Sequence, residues 1–395
     1  MNEIRDVRES MRVLPAFLQP IITWMTGKPL HEQKPLFKGN AFTQTAPALV
    51  LLFGAPLANM VLLKNSPLLG SMFLPLCWMG VVGAARKIQV TLVHQCSHGN
   101  YSGNRRVDLA MAQLLSTFVW VDHFDSYYRE HILIHHTKHL SSKEDPDCAF
   151  LLKLGFRPGM SKTDLWRRLW ITTVSPRFHA LFFFARMKSN FISAPLYRRM
   201  MSFIYSGALL LAVAKYELWT AFALTWLLPL FPLYHCAALL NFSSLHFWLK
   251  DPTGDENAKD RMCSLTAGRF LGEAAPEHST DPIKNVFNWT RWSLRMLFVH
   301  LPCRVSVLSG DLPVHDYHHR HPRCKEWANF IYNRQFDINK KYPGYNTPYA
   351  ENWGLFNCID AVFESLSRSS AQVSTTEKQD PILMVENNKS VFSQI

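Results

Sequence analysis

Residues 46–87 read APALVLLFGAPLANMVLLKNSPLLGSMFLPLCWMGVVGAARK. The first limb, 46–63, is uncharged and almost wholly apolar. Lys64, Asn65, Ser66 and Pro67 make a short break, and 68–85 forms a second uncharged run closed by Arg86 and Lys87. Each limb is about 18 residues, just enough to cross a bilayer, so the stretch predicts a transmembrane hairpin. A second hairpin is expected at 200–248. Its first limb, 200–214, follows Arg198 and Arg199, and Lys215, Tyr216 and Glu217 make its turn. Its second limb, 218–248, is too long for the bilayer alone and is expected to project on one side.

Composition agrees with a membrane body. Of 395 residues, 48% are apolar, 13% aromatic and only 18% charged, which is greasier than an ordinary soluble chain. The formal charge is +12. Of 42 Lys and Arg, only Lys64 and Lys215 lie in the two tight turns, and the others lie on the opposite side. The excess of positive charge on the cytosolic side then places both termini and the 86–199 loop in the cytosol. This accounts for the basic balance without nucleic acid, for which there is no motif. The eight cysteines are scattered without a CxxC pair and read as reduced thiols. The first residues, MNEIRDVRESMRV, lack the layout of a signal peptide.

The remaining chain divides around these limbs. Residues 1–45 are expected to be a cytosolic or interfacial lead-in, 46–365 the membrane domain, and 366–395, polar and rich in Ser and Thr, a disordered tail. Residues 10–25, 165–187 and 283–300 mix apolar and polar faces. They fit helices in the headgroup plane, or amphipathic helices on a cytosolic core. Residues 109–121 are too short to span.

The chain carries 17 histidines, and they cluster. His94 and His98 stand in HQCSH; His131, His135 and His136 in HILIHHTKH; His315, His318 and His319 in HDYHHRHP. His246 lies at the projecting end of the second hairpin. Rings at i and i+4 of a helix share one face, which suits chelation. Both hairpins return the chain to the same side, so all these clusters can meet at one membrane-proximal site. Such an arrangement is hard to obtain as incidental surface and points to metal. Imidazole suits iron, copper, zinc and nickel. One zinc needs three or four ligands, so eight or nine imidazoles call for two metals. The Glu-x-x-His of soluble di-iron bundles is absent, as is the His-Glu-x-x-His of zinc proteases. Asp145, Asp147 and Asp316 are candidates to orient ligand rings through their second nitrogens; a helix cap or a solvated loop residue is the alternative for each. His123, His139, His300 and His321 stand off the pattern, as supporting or surface residues. His235 lies about 16 Å along the helix from His246, too far to share a metal.

His94-x3-His98, His131-x3-His135-His136 and His315-x2-His318-His319 resemble the three histidine boxes of the integral-membrane fatty acid desaturase and hydroxylase superfamily, in order, spacing and the intervening hairpin. The stretch KEDPD, Lys143 to Asp147, is similar to a DPD seen after the second box in bacterial-type members. The resemblance covers roughly 45–365. It implies an all-α fold with four transmembrane helices in two hairpins and a cytosolic helical cap holding a di-metal site. It also implies two non-haem irons, molecular oxygen as co-substrate, and oxidation of an unactivated C–H bond in a fatty acyl chain entering from the lipid bilayer. The eight box histidines then become the iron ligands, with His246 as a ninth from the end of the last transmembrane helix. In relatives an Asn precedes that ninth histidine by four positions; Asn241 precedes His246 by five, which puts its role in question. The leading activity is desaturation. A hydroxylase or a terminal-alkene-forming decarboxylase on the same core is the alternative, and a metal transporter or non-catalytic scaffold a distant one. The transmembrane helices and their aromatics are expected to shape an apolar slot for the chain. No His-Pro-Gly-Gly haem motif and no flavin or nicotinamide fingerprint is present. Electrons are therefore expected from a separate donor, ferredoxin, rubredoxin or cytochrome b5 with its reductase, drawn to the basic face. The unfused haem domain and the DPD tilt the location toward a bacterial inner membrane over the endoplasmic reticulum.

Overall fold

The computed structural model describes residues 6–252, 254 and 256–370. Within these the chain is mostly helical, with two strands of three residues each. Four long helices organise it: α1 (Ala41–Asn65), α2 (Pro67–Ser97), α3 (Leu196–Lys215) and α4 (Trp219–Leu245). Helix α1 begins on a reciprocal cap, in which Asn40 Oδ1 accepts from Thr43 N and Thr43 Oγ1 accepts from Asn40 N. It ends where Ser66 leaves helical space, and Pro67 starts α2 at the position where a missing N–H costs nothing.

Helices α1, α2 and α4 are long and apolar enough to cross a membrane. Helix α3 is 20 residues long but carries Arg198 and Arg199 in its first turn, and it does not join that set. The sequence sets the second limb at 68–85, yet α2 runs on to Ser97. Arg86 and Lys87 end the uncharged run but not the helix, since both residues favour helix; Arg86 is buried inside the protein, only 1% exposed. The extension matters, because it carries His94 on the same rod as the apolar limb.

The outward faces of these helices stay apolar. Val50, Leu57, Leu68, Met72, Phe203 and Leu211 are all largely exposed. Residues 10–25 and 283–300 behave alike: Phe17, Ile21, Ile283, Val286 and Phe287 point outward. Inward, α1 and α2 approach closely at Gly70, where a Cβ would lie 2.6 Å from Leu63 N. Trp78 Nε1 on α2 donates to Leu224 O on α4 at 2.7 Å. Gly70→Leu is therefore expected to lower stability by about 1–3 kcal/mol through overpacking against rigid backbone. Gly207→Ala, where a Cβ meets nothing within 4 Å, is the control; thermal unfolding in detergent compares the two.

The rest of the chain packs against one end of the long helices. Strand Gly268–Phe270 pairs in parallel with Glu351–Trp353, Arg269 opposite Asn352, and so joins two segments on either side of the third histidine box. The last helix, Leu355–Arg368, buries Ile359, Val362, Phe363 and Leu366. It passes the expected onset of the tail at 366; residues 371–395 of that tail lie outside the described residues. All eight cysteines are free thiols.

Candidate metal centre

Four segments bring nine histidines together. His94 sits in the last turn of α2 and His98 one residue past its end. His131 and His135 lie in a π-turn at His131–His135, closed by His136 N donating to His131 O across five residues. Such wide turns alter which side chains share a face and recur at functional sites. His246 is the first extended residue after α4. His315, His318 and His319 share one face of the short helix His315–Arg320.

The nine rings sort into two groups. His94, His98, His131, His136 and His318 form one; His135, His246, His315 and His319 form the other. Within each, one nitrogen per ring lies within 4.8 Å of every other. The second and third boxes are each split between the groups, a division that linear spacing does not reveal. His94 Nε2 meets His318 Nε2 at 3.0 Å, and His318 Nε2 meets His136 Nε2 at 3.1 Å. His98 and His131 meet at 3.1 Å, as do His319 and His315.

These rings fit a metal better than they fit one another. Apart from His135, described below, burial first and then mutual proximity hold them neutral. His98 is pushed down to about 3, and His131, His136, His315, His318 and His319 lie well below 6.5. A neutral ring carries one N–H, so the chain His94–His318–His136 of facing nitrogens has too few protons to bond every contact. His135 Nε2 and both nitrogens of His246 are buried without any partner, which is costly in a dry interior. Converging neutral lone pairs of this kind are what a transition metal accepts.

His135 is the exception among the titrations. Burial lowers its affinity for a proton, but Asp145 and Asp147 outweigh this and the net shift is upward. Asp145, fully buried, accepts from His135 Nδ1 at 2.9 Å, from Ser141 N and from Asp147 N. It therefore both caps the helix Pro146–Lys153 and fixes the ring, the two roles weighed for it from sequence. Asp147 stands 3.7 Å from the same nitrogen. Asp316 does not face a ring: it is held by Arg334 through Nε at 3.0 Å and Nη2 at 2.8 Å. Asn241 does not reach His246 either; its Oδ1 accepts from Arg269 Nη1 at 3.1 Å.

The off-pattern histidines stay outside the groups. His123 caps the helix Phe124–Glu130, His300 sits between Gly272 N and Glu273, and His321 contacts Asp337. His235 pairs with His179 and Arg186.

Three residues that spacing did not single out set the frame. Arg334 ties Asp316 to Glu351. Arg269 bridges Asn241 and Ser244 near the end of α4 to Leu312 O before the third box. Asp311 accepts from Thr91 Oγ1 at 2.7 Å and Gln95 Nε2 at 3.1 Å, fixing the third box beside α2. None belongs to a periodic pattern, so only contacts across the fold identify them.

A cavity of about 120 Å³ reaches His94, His131, His135 and His315. The expected apolar slot is met here by a mixed lining, more apolar than polar. Beside Phe242, Leu245 and Leu312, the lining includes Arg86 and Gln89 from helix α2, just before the first box, together with Asp122, Glu130, Asp147 and Asn241 from other segments.

Compared with known proteins, residues 69–351 match the family model described as fatty acid desaturase, well over half of the chain. No curated protein and no solved structure matches it.

Proposed function

Because the chain belongs to the fatty acid desaturase family, we propose that it is a membrane-bound oxidoreductase that uses two irons and molecular oxygen to introduce a double bond into a fatty acyl chain. The observation that carries this reading is the sorting of nine histidines, seven of them buried and His98 and His136 half-buried, into groups of five and four. In it, His94, His98, His131, His136 and His318 hold one iron, and His135, His246, His315 and His319 the other. Iron bound at these groups supplies the oxygen-dependent removal of hydrogen from a methylene. The chain's own part is to keep most of the rings neutral by burial, to exclude water, and to fix orientation: Asp145 accepts the hydrogen bond of His135 Nδ1–H and so aims its Nε2 inward. Hydroxylation, or decarboxylation to a terminal alkene, on the same site remains the alternative outcome.

The same reading places α1 with α2 and α3 with α4 as two transmembrane hairpins in a domain spanning 46–365, with the histidines and both termini on the cytosolic side of a bacterial inner membrane. The exposed apolar residues of 10–25 and 283–300 then rest in the headgroup plane. Electrons come from an acidic protein donor of the ferredoxin, rubredoxin or cytochrome b5 kind.

The test is metal content per chain, on protein purified in mild detergent from iron-fed cells, beside a His318→Ala/His319→Ala variant. Two irons in the parent and clearly fewer in the variant support the reading, and lipid product analysis then separates alkene from alcohol. Zinc, or no metal in folded protein, overturns it. A milder change probes the orienting carboxylate: Asp145→Asn is expected to weaken iron binding about 10–100-fold, measured by competition with a chelator.

A further inference from the structure

Arg86 stands apart from the other buried arginines. Arg8, Arg186, Arg198, Arg269, Arg304 and Arg334 each donate to at least two acceptors. Arg86 is 1% exposed, yet its Nε and Nη2 have no hydrogen-bond partner. The face of Tyr234 lies 5.5 Å from its guanidinium carbon, and Asp147 is near enough to feel its charge without forming an ion pair with it. A buried guanidinium without an acceptor is expensive, and this one borders the cavity that reaches the histidines.

The same cavity offers two further donors. Gln89 spends its amide oxygen on Tyr234 Oη and Asn241 spends its own on Arg269, which leaves the NH2 end of each as the free one. Three convergent donors with no acceptor of their own describe an anion subsite, and a planar guanidinium matches a carboxylate through two parallel bonds. Asp122, Glu130 and Asp147 also line the cavity, but they are half-buried or exposed and form no ion pair with Arg86. Their negative charge disfavours a polyanion such as a phosphate more than a small monoanion.

We infer that Arg86, with Gln89 and Asn241, anchors the free carboxylate of a fatty acid, so that the carbons nearest the carboxyl end lie against the histidines. This rests on the reading of those histidines as the oxidising centre. Arg86 and His94 are eight residues apart on one helix, about 12 Å of rise, and the arginine side chain takes up part of that distance. An extended chain advances roughly 1.2 Å per bond, which leaves room for the first several carbons and not for the middle of a long chain. The substrate class is a free fatty acid, not an ester or thioester.

The test titrates full-length, iron-loaded protein in detergent with octanoate and methyl octanoate at neutral pH. The parent is expected to bind the acid at least about tenfold more tightly than the ester. Arg86→Gln is expected to lose about 10–100-fold in octanoate affinity, the range of a charged hydrogen bond, with the ester unchanged and Arg86→Lys restoring part. Lys87→Gln, whose side chain borders a different cavity, should behave as the parent. Equal binding of acid and ester by the parent, or equal loss of both in Arg86→Gln, overturns the proposal. If Arg86→Gln does not fold, the parent's preference alone decides. Absence of iron would count against the oxidase reading and would be seen in the metal analysis, independently of these titrations.

Discussion

A His318→Ala chain that folds is expected to keep less than about one hundredth of the parent's turnover, whereas His235→Asn keeps most of it. Both histidines are essentially fully buried, so burial does not separate them; placement does. His318 Nε2 faces His94 Nε2 and His136 Nε2 at 3.0 and 3.1 Å and joins the group of five. His235 instead accepts or shares protons with Arg186 and His179, far along α4 from His246. Removing an outer partner of a metal ligand already costs 10–100-fold, and removing a ligand at the junction of three boxes costs more. The measurement is product formed per chain, with iron content and unfolding midpoint on the same samples. His235→Asn should lower the midpoint and leave the iron. A His318→Ala protein with full iron and full turnover would remove that residue from the centre.

Arg334→Met is expected to destabilise the protein by about 3–5 kcal/mol, the usual effect of stripping one partner from a buried ion pair. Arg334 and Asp316 are each 2% exposed, and Arg334 holds Asp316 through Nε and Nη2 while Nη1 takes Glu351 at 2.8 Å. Without the guanidinium, a carboxylate is left buried beside His315 with no cation. The paired change Arg334→Met/Asp316→Leu should recover much of the loss, because replacing both partners by apolar groups avoids the orphan charge. Denaturant or thermal unfolding in detergent reads both. Equal destabilisation in the single and double variants would mean that the pair acts through shape alone.

The sequence made parts of this arrangement plain and left others hidden. The apolar runs around the Lys64–Pro67 break announce α1 and α2, since length and lack of charge are local properties. Box spacing brings the eight histidines into view for the same reason. The burial of Arg86 is not local: it is supplied by distant segments. Likewise, the division of His135 from His131 and His136 follows from a π-turn, which no apolar periodicity encodes. Asp316 reads as a partner for a histidine until Arg334 is seen beside it. The polar groups of the cavity also escape linear reading, because Arg86 and Gln89 on α2, Asp147 after the second box and Asn241 on α4 meet only in three dimensions.

The partners His94 and His318 are 224 positions apart, and this has a consequence for the birth of the protein. A ribosome adds about 5–20 residues per second, so roughly ten to forty-five seconds separate the emergence of the two rings. Throughout that interval the early histidines exist without the later ones, and the α1 and α2 limbs are already made. Neither group is complete until the third box has been synthesised. If the two groups hold the proposed irons, metal acquisition is a closing act of biogenesis, performed on a nearly finished chain, and a cell short of metal would accumulate membrane-inserted but empty precursor.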